Sequence, residues 1–487
     1  MNNNISKLQP NALWGHFSEI LNIPRPSKKE EKIAAYLVDF ANKHKLDCRQ
    51  DEIGNVLITK PPTKGMESKK SVCLQSHLDM VCEKNTDKKF DFDKDPIQAY
   101  IDGDWVKALG TTLGADDGIG IATQMAILES KEIAHGPIEC LFTVDEETGL
   151  SGAFALTSGF LTSDILLNLD SEDDGQIFIG CAGGRDTVAR FGFKKELVPD
   201  WNLPFKIVIS GLKGGHSGDD INKGLGNANK ILVRILHQAT QTYGIRLHHF
   251  NGGNLRNAIA REAEATVLIN QALRDKFLKL VEHFNQVVRK EFKTTEPDMQ
   301  VKAFQVDPPY FVIDEKSQHN LINALYSCPH GVIQMSREIQ NFVETSTNLA
   351  SVKTLDDSFQ VTTSQRSSVA SALDDVVNMV AATFKLINAD IEHSDGYPGW
   401  TPNPDSEVLV IAKDAYQKLF NAEPKILAVH AGLECGLIGE KYPGMDMISY
   451  GPDIKGAHSP DERIHIKSVD KFWKWTLEIL KNIPDKT

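Results

Sequence analysis

Over roughly the first 180 residues, short apolar β-branched runs alternate with stretches of helical periodicity, and no other feature of the chain constrains its fold as much. "NVLITK", "SVCLQSHLDMV", "GPIECLFTVDEE" and "DILLNLDS" read as strands, because β-branched and aromatic residues suit a covered, pleated surface. "DDGIGIATQMAILES" reads as a helix entered from a Gly-bearing turn. "RPSKKEEKIAAYLVDFANKHKL" reads as another: Ser27 and Glu30 stand at capping-box spacing, and Ile33, Leu37, Phe40 and Ala41 share one face. This alternation predicts an α/β layer whose active groups lie at the carboxyl ends of its strands.

The character changes near "GCAGGRDTVARFGFKK". From about Arg185 to Tyr397 strands such as "FKIVISGL" and "EATVLIN" mix with long helices such as "RDKFLKLVEHFNQVVRKEF", an α+β pattern suggesting two sheet-and-helix units side by side. The Pro- and Gly-rich stretch Asp395–Ser406 reads as a linker. After it come a helix, two strands and a last helix, "DKFWKWTLEILKNI". The expected organisation is a catalytic domain over 1–184 and 398–487, interrupted by an inserted α+β domain over 185–397.

Composition narrows the function. Net charge is −13, from 53 basic and 66 acidic residues, with no basic patch, which argues against nucleic acid or an anionic membrane as partner. No apolar stretch is long enough to predict a membrane span, and the first residues do not read as a secretory signal. Seven cysteines are scattered without CxxC pairs, several in apolar runs, as expected of a reduced, cytoplasmic protein.

Several strand ends carry groups that are expensive to bury unpaired. "LQSHLDMV" places His77 and Asp79 on one side of a strand, and "LGADDGIG" places Asp116 and Asp117 before a helix. "CLFTVDEETGLSG" runs an apolar strand into Asp145, Glu146 and Glu147, "LLNLDSED" ends at Asp170, and "GAHSPDE" holds His458 in a polar loop. Singly, each has a plainer reading: a surface strand, an Asp-Gly turn, a solvated helix start, a loop histidine. Together they supply imidazole nitrogens and carboxylate oxygens in the numbers that a pair of zinc-type cations requires.

In this order, His-x-Asp, Asp, Glu-Glu, Asp and a late His, the chain resembles the dizinc aminopeptidase, aminoacylase and carnosinase superfamily. The segments "SHLDMV", "TLGADDGIG", "DEETGLSGA", "LDSED", "GGHSG", "DGYPGW", "HAGLECG" and "GAHSPDE" resemble its bacterial aminoacyl-histidine dipeptidase branch along essentially the whole chain. Two departures stand out. Asp117 occupies a position where Asn is common, and Ala260 one where Pro is usual; neither matches a metal ligand.

The resemblance implies an α/β/α zinc-peptidase domain with an inserted α+β lid and dimerisation domain. It implies two divalent metal ions, zinc first, with cobalt or manganese fitting the same ligands. His77 and Asp170 would hold one ion, Glu147 and His458 the other, and Asp116 would bridge them. Asp79 would orient His77, and Glu146 would be the general base. His216 in "GLKGGHSGDD" would contact the substrate, reaching the partner subunit's metals in a homodimer built through the insert. Asn257 and Arg366 would hold the substrate carboxylate. The implied activity is hydrolysis of short unblocked dipeptides, including Xaa-His and β-Ala-His types. An aminoacylase or tripeptidase on the same scaffold, or an inactive metal-binding relative, remain the alternatives. The absence of a G-x-S-x-G elbow and of a phosphate-binding loop disfavours other hydrolase classes.

Overall fold

The strand Val72–His77 is buried at every residue, as are its neighbours Ile138–Thr143 and Ile165–Asn168. Apolar runs of this kind belong to strands covered on both faces, the usual condition of a parallel sheet. The computed structural model describes residues 5–200 and 202–486. It divides into two compact units. The first comprises residues up to Gly180, Trp400–Ala428 and the chain from Leu433; the second comprises Cys181–Gly399 and Val429–Gly432.

The first unit is built on an eight-stranded sheet in the order Asp47–Gln50, Val56–Lys60, Ile138–Thr143, Val72–His77, Ile165–Asn168, Asp446–Ser449, Gln176–Cys181, Lys425–Val429. Its four middle strands, from Ile138–Thr143 to Asp446–Ser449, run parallel, so their carboxyl ends open on one edge. The helix Ala115–Glu129, buried along nearly all its length, packs on Val72–His77 and on the helix Asn11–Ile20. A smaller four-stranded sheet runs in the order Ile454–Lys455, Arg463–His465, Trp105–Ala108, Ala99–Asp102. The loop 456–462 is the turn between its first two strands.

The structure adds helices that the sequence pattern did not predict, Asn11–Ile20 and Glu434–Lys441 among them, and one expected detail fails. The Ser27–Glu30 capping box does not form, because the helix Glu31–His44 starts later and both side chains serve elsewhere. The Ser27 hydroxyl donates to Asp79 Oδ2 at 2.7 Å. Glu30 Oε1 accepts the N–H groups of Lys28 and Asp145 at 2.8 and 3.0 Å. Both act on the polar edge of the sheet.

The second unit carries one nine-stranded sheet, eight of its strands in two like βαββαβ motifs and the ninth, Gly331–Met335, paired antiparallel with Val343–Thr354. One motif runs Asn202–Ser210, Ala228–Tyr243, Arg246–Gly252, Ala263–Asn270, Arg274–Glu291, Gln300–Gln305. The other begins with Gly183–Gly192 and resumes after the first with Glu315–Ser327, Val343–Thr354, Ser358–Ser367, Ala370–Lys385, Asp390–His393. In each, the first strand lies between the fourth and the third, and the second strand is outermost. These outermost strands pair antiparallel at Asn251 with Lys353 and Gly252 with Val352. Phe205, Leu232, Phe250, Phe277, Phe359 and Phe384 are among the buried side chains of the core beneath the sheet.

Candidate dinuclear metal centre

In the first unit the parallel strands deliver their polar ends to one place. His77 ends Val72–His77, Glu146 and Glu147 follow Ile138–Thr143, and Asp170 follows Ile165–Asn168. Asp116 stands at the start of the helix Ala115–Glu129, joined to Asp117 by a cis peptide bond. His458, with φ of 61°, sits at the turn of the loop 456–462. Ligand-type atoms of His77, Asp116 and Asp170 lie within 4.8 Å of one another, and so do those of Asp116, Glu147 and His458.

Asp116 belongs to both groups, one oxygen to each. Its Oδ1 is 3.0 Å from His77 Nε2, and its Oδ2 is 3.1 Å from His458 Nε2. His77 Nε2 also lies 3.3 Å from Asp170 Oδ1, and His458 Nε2 lies 3.1 Å from Glu147 Oε2. The other ring nitrogen of His77, Nδ1, faces Asp79 Oδ1 at 3.3 Å. Asp79 accepts the N–H groups of Glu146 and Glu147 as well, so one buried carboxylate aligns His77 and the Glu pair. Glu146 also lies within 4.8 Å of His77 and Glu147.

The electrostatics are those of carboxylates crowded around two imidazoles. Burial above all, outweighing the charge of His77 and joined by repulsion from neighbouring carboxylates, pushes Glu146 and Asp170 well above the usual carboxylate range. Burial would do the same to Asp116 and Asp79. Hydrogen bonds from His458 and His77 outweigh it and hold Asp116 low, and His77 holds Asp79 at about 2. His458 is pushed up to about 11 by its hydrogen bonds to Asp116 and Glu147. Glu147 Oε1 is buried without a hydrogen-bond partner. Two imidazoles among four carboxylates suit zinc-type divalent ions. The residues fit the group.

Two neighbouring carboxylates are settled by structure. Asp145, buried with φ of 51°, accepts the hydroxyls of Thr148 and Ser151 and shapes the turn before Glu146. Asp117 is buried, and burial followed by the charge of Asp170 raises its carboxyl well above the usual range. Its Oδ1 accepts the Gly120 N–H at 3.0 Å. Its side chain is close in shape to the Asn of the resembled family.

Three expected site residues belong to the second unit. His216 and Asn257 line a cavity of about 990 Å³. His216 Nδ1 faces Asp219 Oδ2 at 3.2 Å. Arg366 does not line that cavity; it is buried, with Nη1 donating to the Tyr397 hydroxyl at 2.8 Å and Nε without a partner. Sequence reading passed over the supports: Arg25, Glu462, and the buried Glu434, whose Oε2 accepts from Gln75 and Thr143 at 2.6 and 2.7 Å. Glu434 and Glu462 lie inside the motifs "HAGLECG" and "GAHSPDE", the one available signal; Arg25 had none.

A sheet with four parallel strands at its middle, delivering two carboxylate-bridged histidine clusters from its carboxyl edge, defines a candidate two-metal hydrolase. Residues 73–482 match the profile of peptidase family M20/M25/M40, and the chain belongs to that family. It is 45% identical over 482 residues to the cytosol non-specific dipeptidase of Escherichia coli K12, covering 99% of each chain. The crystal structure of aminoacylhistidine dipeptidase from Vibrio alginolyticus superposes with a TM-score of 0.95 at 46% identity, covering 100% of this chain and 99% of that one. A tripeptidase from Staphylococcus aureus shares the fold at 17% identity, with a TM-score of 0.56 and coverage of 98% and 99%. Among the described residues no helix is long and apolar enough to cross a membrane.

Proposed function

We propose that this chain is a metal-dependent dipeptidase acting on short unblocked dipeptides, Xaa-His and β-Ala-His types among them. The observation that carries the reading is Asp116, whose two oxygens face two different histidines, each cluster completed by one further carboxylate. His77, Asp116 and Asp170 would hold one ion, and Asp116, Glu147 and His458 the other, with zinc the first choice. Two such ions, when bound, polarise the scissile carbonyl and acidify water.

The chain's own groups supply the rest. Glu146 takes a proton from the attacking water and returns it to the leaving amine, so that O–H and C–N bonds break while C–O and N–H bonds form. Asp79 keeps His77 in the tautomer that presents Nε2. His216 donates to the carbonyl oxygen as it gains charge. Asn257 and Arg366 hold the substrate's terminal carboxylate, for which the unpartnered, buried Arg366 Nε is a ready donor.

The cytoplasm is the proposed compartment, in keeping with the cytosolic relative from Escherichia coli and with cysteines scattered without CxxC pairs. A homodimer through the second unit is part of the proposal. Most large apolar side chains left exposed lie there, Leu197, Tyr310 and Leu386 foremost.

The test compares a dipeptide with its C-terminal amide, its N-acetyl form and its tripeptide extension, on protein assayed for metal. Losing a charged hydrogen bond costs roughly 1.5–3 kcal/mol, so the amide should be cut about tenfold to a hundredfold more slowly. An amide cut as fast as the free acid removes the carboxylate clamp and favours the aminoacylase or tripeptidase reading.

A further inference from the structure

The segment that delivers Asp116 is gripped through its backbone by two buried side chains of opposite charge. Glu462 Oε2 accepts the N–H groups of Leu113 and Gly114 at 2.7 and 2.9 Å. Its Oε1 accepts those of Ala115 and Asp116 at 2.7 and 3.3 Å. Arg25 takes the carbonyl side: Nη2 donates to Gly114 O at 2.5 Å, and Nη1 to Leu78 O and Asp79 O at 2.8 and 2.5 Å. Both side chains are only 2% exposed. Gly114 has φ of +71°, and a Cβ there would come within 2.7 Å of Arg25 Nη2. A side chain at this position is incompatible with the guanidinium.

These two grips differ in what they join. Arg25 ties the Asp116 segment to the strand end that carries His77. Glu462 ties it to the loop 456–462, which carries His458. That loop is braced within itself, the Glu462 N–H on Ser459 O at 3.0 Å and the Ser459 hydroxyl on Gly456 O at 2.7 Å. It springs from the strand Arg463–His465, which pairs with Trp105–Ala108, the strand leading toward Leu113. Few carboxylates receive four backbone N–H groups, and such charge-assisted bonds hold geometry tightly.

We infer that Glu462 is a positioning residue that fixes the spacing between His458 and Asp116, setting the affinity of the Asp116–Glu147–His458 subsite separately from that of His77–Asp116–Asp170. The inference rests on the ligand assignment proposed above. Residues that orient metal ligands are worth about tenfold to a hundredfold in affinity.

The test is Glu462→Gln, which keeps the shape but turns an NH₂ group toward two N–H groups that it cannot accept. Metal-stripped wild type and variant are titrated with Zn²⁺ by calorimetry, and ions per chain are counted. Wild type should take two ions; the variant should keep one tight ion and bind the second about tenfold to a hundredfold more weakly. Amide exchange should quicken at 113–116 and stay slow in the strand Val72–His77. Glu462→Asp, which keeps the charge but is one methylene shorter, should fall between the two.

Equal weakening of both ions, unchanged binding of both, or failure of both variants to fold would each overturn the inference. A wild type that binds fewer than two ions would instead overturn the ligand assignment beneath it.

Discussion

Glu146 and Glu147 are adjacent in sequence but placed for different work. Glu147 Oε2 reaches His458, inside the cluster that shares Asp116, while Glu146 is half-buried beside His77 with its backbone N–H on Asp79. Burial above all, against the pull of His77 and with repulsion from Asp170, Glu434 and Glu147, raises the Glu146 carboxyl. Bound cations would reverse that push and return it toward the range in which a base works. Glu146→Gln is therefore expected to lower kcat by roughly a hundredfold to ten-thousandfold while close to two metal ions remain bound. His77→Ala, Asp116→Ala and His458→Ala should each lower metal content, Asp116→Ala most, because its oxygens face both clusters. Metal analysis beside steady-state kinetics separates the two classes. Parallel loss of metal and turnover in Glu146→Gln would show that the roles of the Glu pair had been exchanged.

At the scale of elements, the short segment Val429–Gly432 brings a pH dependence to the second unit. His430 is buried, its Nε2 2.7 Å from the Ser346 hydroxyl. Burial, followed by the charge of Arg366, lowers it to about 3. In the unfolded chain it titrates near ~6.5, so between that pH and about 3 the unfolded state binds the extra proton. The stabilising contribution is thus complete above ~6.5 and declines as pH falls, by roughly 1.4 kcal/mol per pH unit. Denaturant unfolding of wild type and His430→Gln at pH 7 and pH 5 should show the gap between them narrowing by roughly 2 kcal/mol, as follows from that slope. A gap that stays constant would mean that His430 does not titrate in this window. The same segment marks where sequence reading stops. Strands such as Val72–His77 were legible because burial on both faces demands an apolar run, and the ligands were legible as charges at the ends of such runs. Arg25, Glu30 and Glu462 bind backbone groups of distant loops, and a peptide N–H or carbonyl leaves no residue-type pattern to read. The Ser27–Glu30 spacing misled for a related reason: a capping box and a loop clamp require the same side chains, and tertiary partners took them.

At the scale of the whole molecule, the nine-stranded sheet bears on which chain's metals His216 serves. Its two βαββαβ motifs meet through like strands running antiparallel, Asn251 against Lys353. Two separate chains related by a two-fold axis would present like elements to each other in this way. His216 and Asn257 lie in the span of one motif and Arg366 in the other, so a single chain already holds what an isologous pair of smaller chains would have to assemble. Complementation between two inactive variants, His216→Ala and Glu146→Ala, decides the matter. If each His216 serves its own chain, every site in the mixture carries one lesion and activity stays at background. If His216 crosses to the partner, a heterodimer has one site with both lesions and one with none, and a random mixture recovers about a quarter of wild-type activity by counting on two-fold symmetry. With subunit exchange verified by differently tagged chains, recovery near a quarter is the result expected from the resemblance, and background activity would place His216 with its own chain's metals.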